Sequence, residues 1–490
     1  MALAAGSVWE VRPTVGSDTN GAGFVAGASG TDYSQQNSKN TVGNNISTAD
    51  AVGTGIATIT SATASFTAAI VGNIIYLSGT GVTTGWYQVV TFTNATTIIL
   101  DRSPGTFTLA TMNIGGALAT VSQANTNAVA SNTIWIKATG TYTVTTGLTV
   151  SLNSGGSNSP APGVLGFYGY SSTRGDGGKV TWTTATNSIN LVAFSNCSGI
   201  SFQNIAFTST AGTPGTALFV NNNQGNNWNL SVKNCTFSGF GVAISALAYG
   251  NSNSFPQLIM SDSSVTNCTG TAGVINGSGG AFYNCYFGGN TGHGVQIVST
   301  GVNGSTAVFS RCVFYNNGSR GLDLIADLVA VTIQNCAIVS NTSDGIRWSN
   351  VASDGPNFFC QNTVIYGNGG FGINNSLVTT SYGFNFQGGY NAFGSNTSGN
   401  YSGLTAPSTD VALSATPFTN AAGGDFSLNS TAGGGALCKS AAWNGGTLFS
   451  AQTNALDIGA VQSAGSGGGG GSTTNYIVSK NVTQVFVEDY

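Results

Sequence analysis

Ionisable side chains are scarce in this chain of 490 residues, where Asp, Glu, Lys and Arg make up only 6%. Several of them gather in one stretch: His293, Arg320, Asp323, Asp327, Asp344 and Arg347. Two kinds of polysaccharide chemistry are worth testing against them. Glycoside hydrolysis needs two carboxylates about 5–9.5 Å apart, one with a raised pKa. If this is an enzyme, Asp323, Asp327 and Asp344 are its catalytic candidates. A lyase needs a base and charge neutralisation, often by Ca²⁺ held by several acids. The 16 acids of the chain form no such cluster. One histidine and no Cys-x-x-Cys pair argue against zinc. No metal and no cofactor are expected. A non-catalytic use of the same stretch is glycan contact by Arg320, Asp323, Asp344, Arg347 and Trp348.

These residues sit on a repeat. The sequence reads FYNCYFGGNTGHGVQI, then FSRCVFYNNGSRGLDL, then IQNCAIVSNTSDGIRW, with Cys285, Cys312 and Cys336 recurring after 27 and 24 residues. A period of this size, rich in β-branched and aromatic residues, marks a solenoid whose coils bury their apolar faces against one another. Further copies begin at SNCSGISFQNIAF, VKNCTFSGFGVAI and VTNCTGTAGVI, and Thr363 takes the cysteine position in FFCQNTVIYGNGGFGI. About 11 to 13 coils would stack into a rod on the order of 50–60 Å long.

Aligning the coils places Gln296, Asp323, Arg347 and Asn374 in one outward ladder, and His293, Arg320, Asp344 and Phe371 in another. Asp323 should then lie beside Arg347 and Arg320 beside Asp344, so that each acid is kept ionised. The plain reading is a surface ion-pair ladder contributing roughly 0.2–1 kcal/mol per pair. The cysteines read as small buried hydrophobes with free thiols. Gly294, Gly321, Gly345 and Gly372 read as corners needing positive φ. Asn316 and Asn317 read as turn residues, and Arg174-Gly175-Asp176 as a Gly-rich turn. Trp182, Trp228, Trp348 and Trp443 are either core residues or sugar-stacking rings.

The remaining organisation follows from composition shifts. Residues 1–50 hold a strand and an extended polar arm. Residues 51–116 carry short alternating strands too closely spaced for coils, and read as a small inserted β-domain. The β-helix runs over 117–462, opened by a helix within 117–129 that caps the first coil. Residues 463–475 are a Gly/Ser linker. Residues 476–490 alternate like a strand, with Tyr476, Ile477, Val485, Phe486 and Val487 as its docking side chains on a partner sheet edge. The formal net charge of −4 offers no footprint for nucleic acid. The start MALAAGSVWEV does not read as a signal peptide, and no apolar run of about 18 residues suggests a membrane span.

Beyond these patterns, three motifs resemble a known family. The Gly-Ser-Asp turn followed by a short helix and NTIWIKATGTYTV is similar to the start of pectate-lyase-like right-handed β-helix proteins. Asp425 to Gln462, containing DFSLNSTAGGGALCKSAA and ALDIGAVQ, resembles the closing segment of that superfamily, with Gly-Gly-Ala-Leu-Cys-Lys-Ser in place of its usual Ser-Pro-Ala-Ile-Asp-Ala-Gly. The domain between Gly-Trp-Tyr-Gln and Leu-Asp-Arg-Ser-Pro-Gly, together with GYSSTRGDGG, is similar to parts of bacteriophage β-helix proteins. The resemblance implies an all-β, right-handed parallel β-helix in a virion component: a tail spike, tail fibre or capsid decoration protein. It further implies a homotrimer at the virion surface, assembled in the host cytoplasm. Such a protein would be joined to other virion proteins through the N-terminal arm or the C-terminal strand, and would meet host surface polysaccharide. The expected function is host attachment by a structural protein. The alternatives are a polysaccharide-degrading tailspike and a decoration protein without a host ligand.

Overall fold

The computed structural model describes residues 6–39, 47–150, 164–194, 199–222, 229–248, 257–276, 279–299, 305–326, 329–349, 357–376, 385–443 and 457–462. Asp327, Trp228, the 463–475 linker and the 476–490 segment with Tyr476, Ile477, Val485, Phe486 and Val487 lie outside them. The described chain is all-β, with short helices at Val121–Asn127 and Gly435–Cys438.

Three parallel sheets form the solenoid. Sheet A begins with Ser7–Val11, pairs it with Thr133–Lys137, and continues through Leu165–Tyr170 to Asn385–Gly389. Sheet B is 11-stranded, from Tyr142–Thr143 to Val411–Ala412, and sheet C is 10-stranded, from Leu148–Val150 to Gly399–Ser402. Sheet B meets the lower end of the repeat estimate and sheet C falls one strand short of it. Strand alternation explains the filling, because every second side chain points inward. Register then puts like residues on top of one another: Phe282 and Phe309 stack at 4.8 Å and 9°, and Phe287 and Phe314 at 5.2 Å and 10°. Those separations follow the spacing between strands.

Sharp turns separate sheet A from sheet B. Asn234, Asn284, Arg311 and Asn335 occupy the left-handed region there. Each precedes a buried cysteine, in order Cys235, Cys285, Cys312 and Cys336. The thiols donate to carbonyls of the preceding rung, Cys312 Sγ to Phe282 O at 3.3 Å and Cys336 Sγ to Phe309 O at 3.5 Å. Burial raises the thiol pKa of Cys285 and Cys312 and brings Cys235 to about 12, so these side chains are neutral fillers. Cys268 departs from the expected alignment. It follows Asn267 in the turn after sheet B, while Ser263 holds the cysteine position of its rung. Both turns want a left-handed residue and then a small inward one, so Asn-Cys fits either.

Residues 47–114 form antiparallel strands around their own core of Ile59, Ile75, Leu77, Val89, Ile98 and Met112. Gly23–Val25 joins this sheet to Ser7–Val11, pairing antiparallel with both neighbours. The first helix is shorter than the apolar pattern of 117–129 predicts. Leu118 bridges Val11, and Asp18 accepts from the Ala119 and Thr120 backbone amides, holding 118–120 extended. Thr120 then caps the helix through Gln123 N. At the other end, Phe418, Phe426, Leu428, Cys438 and Ile458 pack on the outer face of sheet B, against Val313, Val339 and Val364.

Candidate functional site

Strands Val295–Ser299, Leu322–Ala326, Ile346–Trp348 and Phe371–Asn375 are consecutive in sheet C and carry the ionisable cluster. Gln296, Asp323, Arg347 and Asn374 are in register, as the repeat alignment requires. Gly294, Gly321 and Gly345 directly precede their strands, Gly372 is the second residue of its own, and none has positive φ. The reason for glycine is space. A Cβ on Gly345 would stand 2.7 Å from Gly372 O and 3.0 Å from Asn368 Nδ2, and one on Gly321 would stand 2.7 Å from Gly345 O. Close packing of one rung on the next, not a corner, therefore excludes side chains here.

The acids are not exposed on the outer face as expected. Asp323 is 1% and Asp344 6% exposed. A carboxylate at such depth must be satisfied, and both are. Asp323 accepts from Gln296 Nε2 at 3.0 Å and Arg320 Nη1 at 3.3 Å, and His293 Nε2 lies 3.4 Å away. Asp344 accepts from the Phe371 backbone at 2.8 Å and Asn374 Nδ2 at 3.1 Å. Arg320 Nε is buried without a hydrogen bond, 3.8 Å from Asp344. The expected neighbours Asp323 and Arg347 are in register but form no ion pair. Arg347 instead donates from Nε to Ser376 Oγ at 3.3 Å, and Arg320 serves both acids. One arginine reaching two rungs displaces the strict rung-to-rung pairing.

His293 sits between the Arg320 backbone and Asp323. Nδ1 accepts from the Arg320 backbone at 3.3 Å, which leaves the proton on Nε2 toward Asp323. Burial lowers its pKa first, and Arg320 and Arg347 lower it further against the opposing pull of Asp323. The imidazole is thus biased toward its neutral form, with Nδ1 occupied by the Arg320 amide. Trp348 is not available to a ligand. It is 1% exposed, faces the interior and packs on Phe358 at 5.7 Å, because it occupies an inward strand position. Asp327 lies outside the described residues. Among the described residues no group of three or more His, Cys, Asp or Glu is arranged to hold a metal ion.

Sequence reasoning missed the asparagines behind this face. Asn290, Asn317, Asn341, Asn368 and Asn396 are buried in the turn after sheet B. Asn341 Nδ2 donates to Asn368 Oδ1 at 2.9 Å and to Phe314 O at 3.1 Å, while its Oδ1 accepts from Asn317 Nδ2 at 2.8 Å. The recurring asparagine was visible in the repeat, but only stacking shows it to be an inward ladder rather than a surface turn residue. The preceding residue, Asn316 in one rung and Ser340 in the next, supplies the left-handed bend.

No curated protein matches this sequence. Among solved structures, the pectate lyase Pel9A is similar over 70% of this chain and 91% of its own, at 15% identity and a TM-score of 0.45. Tailspike protein 3 of bacteriophage CBA120 is similar over 57% of this chain and 56% of its own, at 11% identity and a TM-score of 0.33. The A-module of an Azotobacter vinelandii mannuronan C-5 epimerase is similar over 57% and 84%, at 14% identity and a TM-score of 0.32. Residues 190–358 match the family described as right handed beta helix region, and they contain the whole ionisable cluster. The chain is an all-β protein built around that right-handed β-helix.

Proposed function

We propose that this protein is a non-catalytic component of a phage particle that anchors to the virion and presents its β-helix to glycans of the host surface. The observation that carries the non-catalytic part is the burial and internal pairing of the cluster. Asp323 and Asp344 are buried and each accepts two hydrogen bonds, while His293 Nδ1 accepts from the Arg320 backbone and its Nε2 lies 3.4 Å from Asp323. General acid–base chemistry needs a group within hydrogen-bond reach of substrate, and these carboxylates lie beneath the surface, bound to neighbouring side chains and backbone. What remains toward solvent is a long sheet surface with little charge, suited to holding a partner rather than to transforming it. In this reading the protein stands at the virion surface as a homotrimer, and the outer face around Arg320 and Arg347 is one glycan contact.

Anchoring is assigned to the C-terminal strand, residues 476–490, in preference to the N-terminal arm. Part of that arm is already committed to its own chain. Arg12 reaches Asn37 Oδ1 at 2.8 Å and Gln35 O at 2.6 Å, and Arg174 reaches Asp32 at 2.8 Å and Ser34 at 3.0 Å. Two measurements test the proposal. Purified protein should be retained by host capsular polysaccharide or lipopolysaccharide; no retention would favour a decoration protein without a host ligand. Deleting 463–490 should abolish association with particles while leaving the fold intact, and normal decoration by the truncated protein would refute the docking strand.

A further inference from the structure

The four tryptophans singled out as core or sugar-stacking residues separate in the structure. Trp182 and Trp348 are buried, and Trp228 lies outside the described residues. Trp443 is 43% exposed. A lone exposed ring needs no explanation, but the surroundings of this one do. Its backbone N–H donates to Asn362 Oδ1 at 2.9 Å, and its carbonyl accepts from Asn362 Nδ2 at 3.1 Å. A single side-chain amide thus grips both polar groups of the residue. The indole lies over Tyr390, with ring centroids 6.4 Å apart and planes within 24°.

Asn362 and Tyr390 occupy the same turn in consecutive rungs, directly after Asn357–Gln361 and Asn385–Gly389. That turn requires a left-handed residue. Asn204, Asn234, Asp262, Asn284, Arg311, Asn335 and Asn362 fill it, and then Tyr390 with φ +55°, the one aromatic residue among them. Asparagine tolerates this region, whereas a ring-bearing side chain there is an outlier. Strain of this kind is retained where the surrounding structure uses the residue. The ring that Tyr390 brings to this strained position is the one stacked beneath Trp443.

We propose that Trp443, backed by Tyr390 and fixed by Asn362, is a stacking platform for a neutral pyranose unit of a surface glycan. The C–H face of a pyranose is apolar and flat, so it pairs with an immobilised aromatic face, and a platform ordered in advance loses little freedom on binding. All three residues are uncharged and offer an anionic sugar no counter-charge. The inference rests on the attachment reading and gives it a second contact, separate from Arg320 and Arg347.

The test is affinity electrophoresis of the full chain through gels containing dextran, a mannan or a galactan, with alginate as the acidic control. Wild type should be retarded by at least one neutral polymer. Trp443→Ala should weaken that retardation on the order of tenfold. Tyr390→Asn puts in the residue type that most other rungs carry, so its Tm should hold or rise while its binding falls. If Trp443→Ala is retarded like wild type, or if wild type responds to alginate alone, the platform is overturned and attachment stands. If Tyr390→Asn keeps full binding, the strained tyrosine has no part in the platform and the assignment fails. Wild type retarded by no polymer would overturn both.

Discussion

At Asp323 and Asp344 the chemistry of the cluster is decided by partner count. A buried carboxylate that accepts two hydrogen bonds is fixed in its position. Replacing Asp323 with Asn removes the charge opposite Arg320, a guanidinium with one nitrogen already unsatisfied. Asp323→Asn should therefore lower stability by about 1–3 kcal/mol in denaturant unfolding; an unchanged midpoint would mean that the network is not formed. His293 gives a second residue-scale expectation. Its folded pKa lies below the unfolded value, with burial as the main cause. The folded state then binds fewer protons, so this contribution is whole above the ordinary histidine range and fades as pH falls through it. Between about pH 7 and pH 5, wild type should lose more thermal stability than His293→Gln, and equal losses would contradict the geometry. Asp176 works in the carboxylate range. Backbone amides of Ser172, Gly178, Ser171 and Thr173 lower its pKa, so its contribution is present above the usual carboxylate value and is lost in acid. Asp176→Asn should flatten that acid limb.

The elements are held by ladders, and ladders make strong local predictions. Asn341→Ala strips a donor from Asn368 Oδ1 and Phe314 O and an acceptor from Asn317. With several buried groups left unpaired, a loss of about 2–4 kcal/mol is expected, together with faster hydrogen exchange in the rungs on either side. Gly345→Ala should destabilise by about 1–3 kcal/mol, since its methyl would meet the backbone of the next rung. A wild-type melting profile for either variant would contradict the stacking. Much of this scale was legible in the sequence. The Cys-x-apolar and Gly-apolar-x-apolar repeats located sheets B and C and put Asp323 in register with Arg347. Depth was not legible. A repeat gives the direction of a side chain but not what lies over it, so Trp348 stayed open between core and sugar-stacking ring and Asp323 read as exposed. The glycines were correctly found but wrongly explained, because a flat sequence does not show how closely one rung lies upon the next.

For the molecule as a whole, the same stacking that builds the core supports the role proposed for it. The chain carries few charges, the solenoid is closely filled inside, and its first rung is bound to the polar arm through Glu10. That carboxylate is fully buried and is held by Arg12 at 2.8 Å, Arg174 at 2.8 Å and the Tyr170 hydroxyl. This cluster and the one around Asp323 and Asp344 are both paired within the chain. The most direct check is to incubate the purified full-length protein with host capsular polysaccharide and host lipopolysaccharide and to follow the size of the polymer over time. Binding with no shortening of the polymer and no release of oligosaccharides is the predicted result. Release of defined oligosaccharides by wild type, abolished in Asp323→Asn, would contradict it.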